Sequence, residues 1–86
     1  MTPAFLAALE AIPAGTSRGH YDGAVYAVSK TQFAQGKSIK LVAEELGGRD
    51  YISLNVYHPA SGPLLKPCEM PAVKVIAFAT EVQIAG

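Results

Sequence analysis

Cys68 is the strongest nucleophile in this chain by residue type. It lies in Lys66-Pro67-Cys68-Glu69-Met70-Pro71, just ahead of a predicted helix start. A helix N-terminus and a nearby lysine both favour the thiolate, while Glu69 opposes them. His58 stands ten positions earlier and can serve as base if the intervening proline-rich segment folds back. These two residues define one functional reading, a small thiol-dependent enzyme with Cys68 as nucleophile and His58 as base. The competing reading is structural. Free cysteine commonly acts as a small buried hydrophobe, and a histidine at a strand end commonly bonds a carbonyl or water. Cys68 is the single cysteine of the chain, which rules out dithiol redox chemistry within one copy and any four-cysteine zinc site.

The other constellations are weaker. No recognised ligand spacing joins His20, His58, Cys68 and the carboxylates, so neither a metal nor a cofactor is expected. Glu44 and Glu45 are neighbours on a predicted strand, so they point to opposite faces and cannot share a substrate atom. Glu44 is instead placed to pair across strands, with Lys30 as one partner. Arg49-Asp50 in a glycine-rich turn can bind an anion, but Asp50 repels it and is better read as stabilising the turn. Gly15-Thr16-Ser17 lacks the lysine of a phosphate loop, Gly47-Gly48 lacks dinucleotide spacing, and no nucleophile elbow is present. Four tyrosines, Tyr21, Tyr26, Tyr51 and Tyr57, form an aromatic platform if their faces align.

The elements that must carry these residues are short. Thr2-Pro3 predicts a helix start, with Phe5, Leu6, Leu9 and Ile12 as its apolar stripe and Pro13 and Gly15 as its stop. Gly15 to Gly19 reads as a polar linker, and Tyr21 to Lys30 as a strand. A turn at Gln35-Gly36-Lys37 then leads to Ser38–Leu46, whose spacing fits either a strand or a helix. The strand is favoured because a hairpin with the Tyr21–Lys30 segment satisfies both backbones. Tyr51 to His58 alternates cleanly: Ile52, Leu54 and Val56 on one side, Tyr51, Ser53, Asn55 and Tyr57 on the other. Pro59, Pro63, Pro67 and Pro71 predict an irregular or edge segment. Pro71 to about Thr80 reads as a helix burying Val73, Ile76, Ala77 and Thr80, with a strand over 73–78 as competitor, and Val82 to Ile84 as a short final strand. The expected fold is one α+β domain over residues 1–86. Its antiparallel sheet of three to four strands carries an N-terminal and a C-terminal helix on one face.

Composition bounds the function. The 86 residues are 50% hydrophobic and only 16% charged, too apolar for a disordered chain. Seven basic residues balance seven acidic ones, so the electrostatic footprint of a nucleic-acid binder is missing. So small a domain keeps much of its surface in water, and few charges are available to cover it. A homo-oligomer is therefore expected, a two-fold dimer first. No apolar run is long enough to span a membrane, and the apolar N-terminus has no basic residues ahead of it and no cleavage signal, which fits a cytoplasmic protein.

The stretch Ala43-Glu-Glu-Leu-Gly-Gly-Arg-Asp-Tyr-Ile-Ser-Leu-Asn-Val-Tyr57, followed by Gly62-Pro-Leu-Leu-Lys-Pro-Cys-Glu-Met-Pro71 and Val73-Lys74-Val75, resembles a group of small uncharacterised bacterial proteins, some of the mobile gene-cassette kind. The resemblance covers roughly the C-terminal half. It implies a bacterial, cytoplasmic origin and transfers no activity and no site residues.

The leading functional reading is a non-enzymatic module that self-associates and binds a protein partner or a small apolar ligand. The row Tyr51, Ser53, Asn55 and Tyr57 is its expected contact surface, because aromatic and small polar residues make adaptable contacts.

Overall fold

Thr2 and Pro3 open the first helix as their chemistry dictates. The computed structural model describes residues 2–33, 37–57, 62, 64–67 and 69–85. In it the Phe5 amide donates to Thr2 Oγ1 at 3.2 Å, and Pro3 begins α1 (Pro3–Ala11). Phe5 and Leu9 are fully buried, with Ile12 just beyond the helix. Six strands follow around a second helix: β1 (Gly15–Tyr21), β2 (Ala24–Phe33), β3 (Ser38–Glu45), β4 (Tyr51–Tyr57), β5 (Leu64–Pro67), α2 (Ala72–Glu81) and β6 (Gln83–Ala85). They form one antiparallel sheet in the order β5-β4-β3-β2-β1-β6.

This corrects the expected sheet of three to four strands. The Gly15–Gly19 linker is instead the start of β1, paired with β2 on one side and β6 on the other. The predicted Tyr21–Lys30 strand is broken near its start by a two-residue hairpin loop, Asp22-Gly23. Both loop residues have left-handed φ, 51° and 78°, the requirement of a type I′ turn. Within the proline-rich segment, expected to run as an irregular or edge segment, Leu64–Pro67 forms the edge strand β5 beside β4 and adds to the strand count. The Gln35-Gly36-Lys37 turn falls largely outside the described residues.

The register divides the sheet into two faces. Tyr26, Val28, Ile39, Leu41, Ala43, Ile52, Leu54 and Val56 are all buried on one of them. They form a single core with Phe5, Leu9 and Ile12 at α1 and with Val75, Phe78 and Ala79 of α2. The buried stripe of α2 is thus shifted from the predicted one, and Val73 is 73% exposed. The buried positions are another stripe of the same helix, Val75, Phe78 and Ala79 at i, i+3 and i+4, which turns the large Phe78 ring inward against Tyr21 and Tyr26. Where the chain leaves α2, Val82 lies directly over β1, and a Cβ on Gly19 would meet Val82 Cγ2 at 2.6 Å. Gly19 is therefore the residue that lets the last strand close on the first.

One charge lies in this core. Lys30 is 4% exposed and its ammonium donates to three backbone carbonyls: Leu9 at 2.9 Å, Glu10 at 3.3 Å and Ile12 at 2.8 Å. The last turn of α1 has no basic residue of its own, and Lys30 supplies the missing donors and positive charge from the sheet below. Burial pushes the Lys30 ammonium down from its ordinary value, and the charge of Glu10 works in the opposite direction. The expected Glu44–Lys30 pair does not form, because the two side chains are on opposite faces of the sheet.

Candidate functional site: the uncovered face of the sheet

Both helices pack on the same face, so no described element covers the other. Its side chains follow from the register. The row Thr16, Ser29, Val42 and Ser53 crosses the middle of the sheet. Toward one end lie the rows Thr31-Lys40-Asn55-Lys66 and then Phe33-Ser38-Tyr57-Leu64. Toward the other lies Arg18-Ala27-Glu44-Tyr51, with His20 and Val25 beyond it. The middle is made of small side chains, and Thr16 and Ser29 lie with their hydroxyls 3.4 Å apart. The ends are aromatic and apolar: Phe33 is 50% exposed, Leu64 45%, Tyr51 42% and Tyr57 41%. Single exposed apolar residues need no explanation, but three of them in one row, on a sheet face bare of helices, make a patch of the kind that marks an interaction surface.

The predicted row Tyr51, Ser53, Asn55 and Tyr57 lies on this face, with Ser53 and Asn55 half-buried between exposed tyrosines. Sequence reasoning missed Phe33, Leu64, Val42, Lys40 and Glu44 as members of the same surface. The signal was strand parity, which becomes usable only once the register between strands is fixed. The four tyrosines do not form one platform. Tyr21 and Tyr26 lie on the helix-covered face, where each packs edge-to-face against Phe78 at 5.1 Å and against the other at 6.1 Å. Cys68 and His58, the alternative catalytic pair, lie outside the described residues. Among the described residues no group of three or more His, Cys, Asp or Glu is arranged to hold a metal ion, and no helix is long and apolar enough to cross a membrane.

A second polar cluster sits on the covered side and is occupied by its own partners. Asp50 accepts from Lys74 Nζ through Oδ1 at 2.6 Å and from the Tyr26 hydroxyl through Oδ2 at 2.8 Å. Its amide donates to Glu45 Oε1 at 3.2 Å, and its carbonyl accepts from the Glu45 amide at 2.9 Å. The Lys74 hydrogen bond, followed by that of Tyr26, holds the Asp50 carboxyl below the usual carboxylate range, while partial burial pulls the other way. Burial and then the bond to Asp50 push the Tyr26 phenol up. A carboxylate neutralised in this way is a poor base. Asp50 ties the β3–β4 loop to α2 and β2, a longer reach than the turn-stabilising role predicted for it. A polar cleft of about 420 Å³ beside this cluster is lined by His20, Tyr21, Asp22, Glu81 and Gln83.

The Asp50 shift has a definite sign in stability. Its folded value lies below its unfolded value, so on acidification the unfolded chain takes up the proton first. The contribution is complete above about pH 3.9, the unfolded value, and disappears as pH falls through the folded value. Both partners are more than a third exposed, at 38% and 35%, which limits the size. Asp50→Asn is expected to cost about 0.5–1 kcal/mol at pH 7. The gap between the two proteins is expected to narrow below about pH 4. Urea denaturation at pH 7 and in acid checks this; a gap that does not narrow contradicts it.

Compared with family models, with curated proteins and with solved structures, the chain matches none of them.

Proposed function

We propose that this chain is a non-enzymatic module that self-associates through the uncovered face of its sheet. The observation that supports the reading is the asymmetry of that sheet: both helices lie on one side, and small residues flanked by Phe33, Tyr57, Leu64 and Tyr51 lie on the other. The size is adequate. Six strands of about seven residues make a face on the order of 600 Å² in plan. Side-chain relief brings this near the ~800 Å² that each partner contributes to a standard interface. A contact of that size, with Phe33, Tyr57, Leu64 and Tyr51 as its apolar part and small polar side chains between them, requires no catalytic group, and a second copy offers the same surface to be covered. The reading places the module in a reducing cytoplasm, where its lone cysteine remains a thiol.

Sedimentation equilibrium at micromolar concentration tests the reading. The wild-type chain is expected at dimer mass. Tyr57→Ala is expected to raise the dimer dissociation constant about tenfold, the size of a moderate interface anchor, without unfolding the domain. A wild-type chain that stays monomeric at tens of micromolar removes the proposal.

A further inference from the structure

We infer that the two copies meet about a two-fold axis that crosses β3 at Val42, so that Lys40 of each copy faces Glu44 of its partner. This inference rests on the self-association reading and adds the geometry of the contact. Lys40 and Glu44 both point out of the uncovered face, two residues before and two residues after Val42. Four residues of strand separate their Cα atoms by roughly 13 Å, too far for them to pair within one chain. Among the described residues the ion pair is Lys74–Asp50, so neither charge is committed elsewhere.

A face-to-face contact between identical surfaces needs an axis lying in the plane between them. An axis running along β3 would place Lys40 on Lys40 and Glu44 on Glu44. An axis running across the strands along the row Ser29-Val42-Ser53 exchanges the two ends of each strand, and it sets Lys40 against Glu44 twice. Packed sheets sit about 10 Å apart, a gap that a lysine and a glutamate span together. They also cross at about 30°, but both charges lie within about 7 Å of the axis, so that rotation displaces them by only a few ångströms. The small side chains of the central row let the faces approach. The same operation lays Phe33 of one copy over Val25 of the other, covering the most exposed aromatic ring with an apolar residue. Arg18 on β1 and Lys66 on β5 are both exposed and stand two strands from β3 on either side, away from the Lys40–Glu44 contacts.

Charge exchange tests the geometry, with sedimentation equilibrium and native mass spectrometry as readouts. Lys40→Glu alone and Glu44→Lys alone are each expected to weaken the dimer at least tenfold, since each places like charges opposite one another. An equimolar mixture of the two single variants is expected to form a heterodimer, and the double variant Lys40→Glu/Glu44→Lys to regain the homodimer. Recovery in the mixture also shows that the single variants are folded. A wild-type dimer whose single variants associate equally well, or whose mixture gains nothing, overturns this axis and leaves self-association standing. A monomeric wild-type chain overturns both.

Discussion

Replacing Lys30 by methionine is expected to destabilise the fold by about 2–4 kcal/mol, several times the cost of an average surface change. Methionine keeps most of the stem and its packing against the core, so the loss falls on the ammonium and its three bonds. The carbonyls of Leu9, Glu10 and Ile12 then lose a donor at 2.8–3.3 Å, beneath a helix end that has no other cation. Each carbonyl left unpaired away from water costs of the order of 1 kcal/mol or more. Lys30→Arg is expected to recover little, because a planar guanidinium cannot aim three donors at three carbonyls converging on one point. Urea midpoints of the three proteins measure this directly. Hydrogen exchange adds the location: α1 is expected to lose protection first. A Lys30→Met protein as stable as the parent would mean that water serves those carbonyls as well as the ammonium does.

Removing the Phe78 ring is expected to cost about 3–5 kcal/mol. Phe78 is fully buried and sits between Tyr21 and Tyr26, edge-to-face with both at 5.1 Å and interplanar angles of 62° and 66°. Phe78→Ala leaves a cavity lined by two rings that their own strands hold in place, so little collapse is available to refill it. It also strips α2 of its largest anchor, and α2 carries the chain to β6. Thermal or urea unfolding gives the magnitude. Phe78→Leu, which keeps most of the volume, is expected to lose clearly less. A Phe78→Ala variant within 1 kcal/mol of the parent would show that the cavity closes.

What could be read from the sequence was the local chemistry. Thr2-Pro3 capped a helix as its atoms require, and Ile52, Leu54 and Val56 alternated with Tyr51, Ser53, Asn55 and Tyr57 because β4 is covered on one side only. What could not be read depended on distant partners. Gly15-Thr-Ser-Arg-Gly19 has the composition of a loop, and it is a strand because β2 and β6 pair with it on both sides. Asp22-Gly23 was a strong hairpin signal in its own right, hidden because Tyr21 and the residues after it read as one β-rich run. Lys30 was expected to meet Glu44 across strands, and the register instead turns it inward, on the face opposite Glu44. For the candidate surface, the Tyr51–Tyr57 row was visible on its own strand. Phe33 and Leu64 joined it only through pairings that no local pattern encodes.

The lateral rims of the sheet have a consequence for how copies can gather. The outermost strands are β5, four residues ending in Pro67, and β6, three residues long. Among the described residues neither offers a long run of free amides and carbonyls to a newcomer, and proline removes one donor outright. Growth by adding strand to strand, the route to filaments, is thereby blunted, and a self-complementary contact on the broad side saturates at two. The proposed pairing across the uncovered face would therefore end at two copies, with the short rims giving a third copy little strand to extend.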